Sequence, residues 1–452
     1  MTSAGAAGPV APPAPDAAAR APGSPGGPGA AAGVGPPTTA LRYPAFRLLW
    51  LSLLPGTLGM MMATVAFGFV AYQISGSAIA LAVVNLGWGV PMLVLSPAAG
   101  LVADRFPRRN VILATQAVIG VTAVGATILV ATGSAQIWHL VVITTLQGAA
   151  FAFNIPARQA LIAEVVAPVA LANAVATHNA GQNLNRIAGP AVAGALLAAP
   201  AVGPVGVFAL MAALYAVVLL LLVRLPPTSV PRSGNAVPHE PILRRLGAGF
   251  AFVVAHPELR RLMLLAFVPL LLGMPYQGLL PAVAAQIFGT GAAGLGALSA
   301  AAGVGALAGS LLVISFGRGH RLARFQLVSG VLFGVALAAF ALVGRFVPAL
   351  GLLALVGAAS AAYTSVNNTL LMHHTPPAYH GRVMGVYMMS FAAMPLSALP
   401  AAWVAERAGL APTLVGCGLL AAVSVLVLAG RRPPSPRLLP GRERVAAAPD
   451  AR

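Results

Sequence analysis

Long apolar segments separated by short polar connections run through the chain from Phe46 onward. Each segment is about as long as the 20 residues that one α-helix needs to cross the hydrocarbon core of a bilayer. The backbone of such a segment must satisfy its own hydrogen bonds in lipid, which favours helices. The pattern therefore predicts an all-α polytopic membrane protein with twelve transmembrane helices. The predicted spans are 46–72, 78–103, 111–131, 137–155, 174–198, 203–223, 262–285, 291–316, 325–344, 349–372, 383–404 and 409–430.

The longest polar connection, 224–261, divides the spans into two groups of six. It is turn-rich between Pro226 and Pro241 and contains a short amphipathic piece at 243–254. We predict an N-terminal half at 42–223, a cytoplasmic central loop at 224–261 and a C-terminal half at 262–430. The Ala-, Pro- and Gly-rich segment 1–41 is expected to be a disordered tail, and 431–452 a second cytoplasmic tail. Two six-helix halves around a central cavity are a common architecture of secondary transporters.

Composition excludes several classes of function. Hydrophobic residues make up 59% of the chain and charged residues 8%, against about 25% charged residues in a soluble domain. The single cysteine, Cys417, excludes a disulfide framework and a cysteine-based zinc site, and neither a metal nor a cofactor is predicted. The chain has no lysine, so it cannot form the phosphate-binding loop that ends in Gly-Lys-Ser/Thr.

The net charge of +18 comes from arginines spread among the connections. Because they do not cluster on a polar domain, we expect contact with anionic lipid and no nucleic-acid binding. The connections on one side of the predicted membrane, with the tails, hold 23 of the arginines, and those on the other side hold Arg345 and Arg407. The positive-inside rule then places both termini in the cytoplasm. Arginine without lysine, beside much Ala, Gly and Pro, indicates a GC-rich bacterial genome, so we expect a bacterial cytoplasmic membrane.

A charged connection between the second and third predicted spans is the sharpest motif in the chain. It reads Gly-Leu-Val-Ala-Asp-Arg-Phe-Pro-Arg-Arg, and its key positions are Gly100, Asp104, Arg105, Arg108 and Arg109. The motif resembles the signature loop of the major facilitator superfamily, although Pro107 stands where the family pattern has glycine. The resemblance implies a gate in which Asp104 and Arg105 latch one state while the two halves rock, through charge-assisted contacts that can break and reform.

Two further stretches resemble exporters of this superfamily. Gly189, Pro190 and Gly194 in the fifth predicted span resemble an exporter motif that bends the helix. The predicted inner loops with Arg158 and Arg382 resemble the branch that contains the enterobactin exporter and related bacterial drug-efflux proteins. The resemblance covers roughly residues 42–430 and implies outward movement of small organic molecules, with protons as the coupling ion.

Polar residues inside the fifth span are candidates for contact with substrate or for coupling. His178, Gln182 and Arg186 recur at helical spacing on one face. Arg186 falls near the middle of the span, where an uncompensated charge is costly, and all eight acidic residues lie in tails, loops or helix ends. Three roles remain open for Arg186: pairing with carbonyls and amides near the bend, contact with an anionic part of a substrate, or gating and coupling.

The residues themselves give proton coupling little support. Burial can move the pKa of a membrane carboxylate into the working range, but the interiors of the predicted spans contain no carboxylate. His178 can titrate near neutrality, with a hydrogen-bonded structural histidine as the alternative. The other titratable candidates are Asp104 and Glu164 in the connections.

Further candidates come from the helices that line the centre in this superfamily. For each of them plain packing is the alternative to contact with a ligand. Together they indicate an amphipathic or apolar organic substrate, with methionines 60–62 of the first span as an adaptable wall. The candidates are Gln147 and Phe151 of the fourth span, Tyr276 and Gln277 of the seventh, and Tyr363 and Asn367 of the tenth.

We therefore expect a secondary transporter that exports a small amphipathic compound such as a drug, siderophore or secondary metabolite. The first alternative is an importer of a small organic nutrient, which the exporter-like motifs disfavour. A membrane-embedded enzyme would need converging acid-base or metal groups at membrane depth. A non-transporting receptor or scaffold would be expected to carry a sizeable soluble domain.

Overall fold

The computed structural model describes residues 39–227, 242–316, 322–376, 379–392 and 394–430, and within these ranges all regular secondary structure is helical. The helices before residue 227 are α1 (Pro44–Ser75), α2 (Ala78–Arg105), α3 (Arg108–Ala131), α4 (Ile137–Val165), α5 (Leu171–Ala198) and α6 (Gly203–Val223). Those after residue 241 are α7 (Ile242–Ala255), α8 (Pro257–Gly273), α9 (Pro275–Gln286), α10 (Gly291–Phe316), α11 (Leu322–Leu342), α12 (Phe346–His374), α13 (His380–Ala392), α14 (Met394–Ala408) and α15 (Leu410–Gly430). Residues 1–38 and 431–452, which make up most of the two predicted tails, lie outside the described ranges.

Ten stretches of the described chain are long and apolar enough to cross a membrane, which makes the protein multi-pass. They correspond to α1, α2, α3, α4, α6, α10, α11, α12 and α15, with α8 and α9 together as the tenth. The fifth and eleventh predicted spans are not among them. Helix α5 is 28 residues long, but its polar residues make it less apolar than the others, and the eleventh span consists of the two shorter helices α13 and α14.

The seventh predicted span starts earlier than expected and is divided. Its first helix, α8, begins at Pro257 rather than at residue 262. This helix ends at Gly273, and Met274 separates it from α9, which begins at Pro275. Proline has no N–H to continue the ladder of backbone hydrogen bonds, so the chain breaks and restarts there as α9. The amphipathic piece expected at 243–254 is the helix α7, whose Gly249 packs against the backbone of Arg382.

The two predicted inner-loop arginines lie in helices, which corrects the sequence-based boundaries. The fourth predicted span was expected to end at residue 155, yet α4 continues through Pro156 to Val165 and buries Arg158. The helix continues because Pro156 removes only one hydrogen bond, and the turns after it bury Ala157, Leu161 and Ile162 in the apolar core. Arg382 lies in the first turn of α13, with its guanidinium 5.5 Å from the centre of the Tyr379 ring.

Close contact between glycines holds the two groups of helices together. The backbones of Gly194 in α5 and Gly296 in α10 touch so closely that neither residue has room for a Cβ atom. Small residues at such crossings let helices in a membrane approach each other. Helices α2 and α14 also pack along each other, so two pairs of helices, α5 with α10 and α2 with α14, join the first part of the chain to the second.

Among the residues that the structure describes, one apolar cluster spans both parts of the chain, and it lies at one end of the molecule. This cluster includes Phe67 of α1, Leu81 of α2, Leu279 of α9 and Ala402 of α14. At the opposite end the core separates into a cluster within the first six helices, around Phe46 and Ile162, and a cluster within the later helices, around Leu262 and Val386. The separated end is the one that carries arginines 105, 108, 109, 260 and 261.

Candidate functional site

A central cavity of about 300 Å³ lies where the first six helices meet the later ones. Its wall is formed by α1, α2, α4, α6, α9 and α14. Of the sequence-predicted candidates, Met60, Gln147, Phe151 and Gln277 line it. Its remaining walls include Phe67, Asn85, Trp88, Thr144, Met211, Tyr215, Met274, Pro281 and Ala398. Among the described residues that line the cavity none is charged, and most of the wall is apolar.

Amides and hydroxyls of the first six helices supply polar groups to this wall. The Gln147 Nε2 donates to Thr122 Oγ1 on α3 at 3.1 Å, which fixes the amide inside the helix bundle. Thr144 and Asn85 both donate to backbone carbonyls of α2, at 3.0 Å in each case. A few fixed polar groups on a mostly apolar wall orient an amphipathic ligand and leave room for variation in its apolar part.

Three of the other sequence-predicted candidates lie away from the cavity wall. Tyr276 is 2% exposed and belongs to the packed core beside it. Tyr363 of α12 donates from its hydroxyl to the Leu265 carbonyl of α8 at 2.6 Å. Asn367 accepts from the Gln326 amide of α11. In the structure, Tyr363 and Asn367 therefore join helices within the second part of the chain.

A second, smaller cavity of about 130 Å³ lies among α1, α3, α4 and α5. Met60 and Phe151 line both cavities, so the two are neighbours. The polar residues that line it are Thr57, Gln116, Asn154, Arg158, Gln159, His178 and Gln182. His178 is buried, and its Nε2 lies 2.8 Å from the Gln182 amide nitrogen.

Arg158 is the charged residue of the second cavity, and its side chain is only 5% exposed. Its Nη1 donates to the Leu49 carbonyl at 3.2 Å and to the Ser52 hydroxyl at 3.3 Å, both on α1. The sequence interpretation missed this placement because Pro156 was taken as the end of the span. The available signal was the apolar pattern at 157–162, which continues the helix past the proline.

Arg186 lies outside the lining of both cavities and is exposed on α5. Its backbone carbonyl packs against Gly303 of α10, and its charge is within electrostatic range of Tyr276. Within the described part of the chain its guanidinium has no hydrogen-bond or ion-pair partner. This arrangement does not distinguish among the three possible roles of Arg186, which are pairing with carbonyls and amides, contact with substrate, and gating or coupling.

The bend motif of α5 lies at the crossing of helices from both parts of the chain. Helix α5 runs without interruption through Pro190. On one side Gly189 packs closely against Met61 of α1, and on the other Gly194 meets Gly296 of α10. A larger side chain at either glycine would collide with these neighbours.

The arginines of the signature loop bind the first six helices to one another. Arg108 forms an ion pair with Glu164 at 3.1 Å and donates to the Ala160 carbonyl, both near the end of α4. Arg109 donates to the carbonyls of Leu222 and Val223 at the end of α6. The last carbonyls of a helix have no N–H partner within the helix, so cations are favoured at the end of α6. Arg105 and Asp104 belong to the last turn of α2. The surroundings of Gly100 and the side chain of Asp104 lie outside the described part.

Contacts at the arginine-poor end connect the two parts of the chain across the cavity. The Glu406 carboxylate of α14 accepts hydrogen bonds from Ser77 and from the Ile79 backbone, at the start of α2. The Gln286 amide of α9 donates to the Tyr72 hydroxyl of α1 at 2.6 Å. The sequence interpretation placed no function here, although Glu406 is the one acidic residue beside the outer connections.

Comparison with known sequences identifies a family and several relatives. The family model for transmembrane secretion effectors matches residues 36–437. Macrolide efflux protein A of Streptococcus pyogenes is 23% identical over 384 residues, which are 82% of this chain and 93% of the relative. The multidrug efflux pump Tap of Mycolicibacterium fortuitum is 26% identical over 391 residues, or 84% and 94% of the two chains. The enterobactin exporter EntS of Shigella flexneri is 27% identical over 345 residues, or 76% and 81%.

Solved transporter structures share the fold. A bacterial homolog of the human lysosomal transporter Spinster, in an inward-facing and occupied conformation, has a TM-score of 0.67 at 14% identity and covers 86% of this chain and 95% of its own. The nucleoside transporter NupG has a TM-score of 0.64 at 13% identity, with 86% and 100% of the chains covered. At this identity the likeness concerns the arrangement of the helices alone.

Proposed function

Because the chain belongs to the transmembrane secretion effectors of the major facilitator superfamily, we propose that it exports small amphipathic organic compounds by alternating access. The named relatives are efflux transporters of the same superfamily and not enzymes, which supports a drug, siderophore or secondary metabolite as the cargo. The observation that carries the proposal is the central cavity, which is mostly apolar, has a few fixed amides and lies between the two parts of the chain.

In the proposed topology twelve helices form two halves of six, and both termini lie in the cytoplasm of a bacterial cell. Helix α5 is the fifth span, and α13 with α14 is the eleventh. An even number of spans agrees with the distribution of arginine, which puts both termini on the same side. The polar side chains of α5 are then tolerated because the helix packs between α1 and α10 and borders the second cavity.

The division of the apolar core supports an inward-facing state for this conformation. The core that is continuous across both halves closes the end assigned to the outside, and at the cytoplasmic end the described apolar residues form two separate clusters. To release cargo outward, the halves would rock so that the Glu406 and Gln286 contacts break. The Asp104 and Arg105 loop would then latch the cytoplasmic side, as the superfamily resemblance implies.

Proton coupling is part of the proposal because the superfamily resemblance implies it. The described candidates are His178, held by Gln182 in the second cavity, and Glu164, held by Arg108 at the inner end. Both contacts lie within the first half, so rocking of the halves would keep them and change the exposure of the two groups to water. Coupling would then consist of a proton that binds one of these groups in one state only.

The test is the accumulation of labelled cationic, neutral and anionic amphiphiles in bacterial cells that lack their own pumps, with and without this protein. Lower accumulation that an uncoupler reverses would support energy-dependent export. A matched control is a chain with Gly194→Leu, which we expect to disrupt the α5–α10 crossing. Higher accumulation than in cells without the protein would contradict export and favour an importer.

A further inference from the structure

Arg158 is a buried charge without a balancing carboxylate. Among the side chains that the structure describes, the acidic groups engage other partners: Glu164 pairs with Arg108, Glu258 pairs with Arg261, and Glu406 caps α2. The two hydrogen bonds of Arg158 go to a carbonyl and a hydroxyl, which are neutral acceptors. A guanidinium stays charged inside a protein, so the charge at this position still needs an anion.

One end of the guanidinium has no acceptor among the residues that the structure describes. Arg158 Nη2 is buried without a hydrogen-bond partner there, while Nη1 makes both of the bonds to α1. A buried donor without an acceptor is unfavourable and rare in folded proteins. Because Arg158 lines the second cavity, a group bound in that cavity is the acceptor that could satisfy Nη2.

The rest of the cavity wall suits an oxygen-bearing anion. Gln116 on α3 also has an unpartnered amide oxygen, and rotation of the amide would present its N–H₂ group instead. Gln182 and His178 line the cavity from α5, with the Gln182 amide nitrogen 2.8 Å from the His178 ring. Polar side chains of α3, α4 and α5 thus line one cavity with Arg158, and hydrogen bonds that join a cation to a carboxylate are stronger than neutral ones.

We propose that the second cavity is an anion subsite in which Arg158 binds a carboxylate carried by the transported compound. This inference rests on the proposed function. The subsite adjoins the central cavity, since Met60 and Phe151 line both cavities. The apolar body of a ligand would occupy the central cavity while its carboxylate reaches Arg158. Amphipathic acids are thereby assigned as a substrate class.

Benzoate and benzamide form a matched pair of probes for this subsite, since they have the same ring and a similar shape and differ in charge. Thermal unfolding of the purified full chain is measured with increasing concentrations of each probe at constant ionic strength. We expect saturable stabilisation by benzoate and at least about tenfold weaker binding of benzamide, from the worth of a charged hydrogen bond. Equal stabilisation by the two probes would overturn the proposal.

Substitutions test whether the binding of benzoate depends on Arg158. Arg158→Gln is expected to weaken benzoate binding about tenfold or more, whereas Arg345→Gln, which removes an exposed arginine far along the chain, should bind benzoate as the unchanged protein does. If Arg158→Gln fails to fold, Gln182→Phe tests the same cavity by filling it while the bonds of Arg158 to α1 remain. Unchanged benzoate binding in a folded Arg158→Gln or in Gln182→Phe would overturn the assignment.

A further measurement distinguishes a site for the carboxylate of a transported compound from a site for a free inorganic anion. Sulfate at the same ionic strength should stabilise the protein less than benzoate, because it lacks an apolar part to occupy the adjoining space. Stabilisation by sulfate equal to that by benzoate would overturn the substrate assignment. The binding of benzoate is measured independently of transport. If the protein binds benzoate but exports none of the labelled amphiphiles, the proposed function is contradicted while the anion subsite is retained.

Discussion

The Glu406 carboxylate accepts a hydrogen bond from the Ser77 hydroxyl, although the two residues are 329 positions apart in the chain. The same carboxylate oxygen accepts from the Ile79 N–H at 3.1 Å. The first N–H groups of a helix have no partners within it, and the helix dipole favours an anion there. Glu406 therefore attaches the end of α14 to the start of α2 at the end of the molecule assigned to the outside.

Replacing Glu406 should loosen this closure. In a chain with Cys417→Ser and the cavity residue Ala398→Cys, we expect Glu406→Gln to speed labelling by a membrane-impermeant thiol reagent added outside. The increase should be about two- to fivefold, because a carboxylate at an exposed helix N-terminus contributes about 0.3–1 kcal/mol. Arg345→Gln is the control, since it changes an exposed charge elsewhere. An unchanged labelling rate in Glu406→Gln would show that Glu406 does not hold the outer side closed.

The same contact predicts a dependence on external pH. The hydrogen bonds from Ser77 and then from Ile79 lower the pKa of Glu406 below its ordinary value of 4.5. The contact is therefore fully present above that ordinary value and is lost as the pH falls through the lowered pKa. The labelling rate of Ala398→Cys from outside is divided by that of a free thiol at the same pH, because only the thiolate reacts. This ratio should be constant from pH 8 to about pH 6 and should rise only when the pH falls below the ordinary pKa of 4.5. A rise of the same size in Glu406→Gln would assign the effect to another group.

The crossing of α5 and α10 should tolerate no side chain. Gly194→Leu would drive the new side chain into the backbone of Gly296, and overpacking of this kind costs about 1–3 kcal/mol. We expect a melting temperature several degrees lower in purified protein. Gly125→Ala in α3 is the control, because a Cβ there meets nothing within 4 Å, and it should be neutral or stabilising by up to about 1 kcal/mol. Equal melting temperatures for both variants would mean that the crossing can separate without cost.

The amide of Gln147 should affect selectivity more than stability. Gln147→Leu keeps the size of the side chain and removes its polar atoms from the central cavity. Export of compounds with amide or hydroxyl groups should fall by up to about tenfold, the worth of one hydrogen bond, while export of purely apolar compounds persists. Thr127→Val, which removes a hydroxyl bonded within α3, is the matched control. An equal loss for both compound classes would point to misfolding, which the melting temperature would reveal.

Asp104 is predicted to serve as the cytoplasmic latch. It lies in the last turn of α2, where the helix dipole disfavours an anion, and α13 of the other half packs beside α2. Asp104→Asn should reduce export severalfold at normal expression. Glu258→Gln, which removes an acid paired with Arg261 within α8, should reduce it less. Full export by Asp104→Asn would contradict the latch.

The sequence determined those features that follow from local composition. Long apolar segments give the helices α3, α6, α11 and α15 close to their predicted bounds, because a span in lipid must satisfy its own backbone. The signature loop around Asp104 identified the superfamily from side chains adjacent in the chain, which the family match over residues 36–437 confirms. The motif of Gly189, Pro190 and Gly194 in the fifth span was recognised for the same local reason.

Only the tertiary structure decided which distant side chains share a site. Gln147 and Gln277 meet in one cavity while Tyr363 and Asn367 do not, because the direction of each side chain depends on how the helices rotate and cross. Arg158 became a buried residue of the second cavity only because α4 continues past Pro156 and packs on α1. The contact of Glu406 with Ser77 depends on where α14 ends against α2. Such contacts arise from packing between helices and leave no periodic signal along the chain.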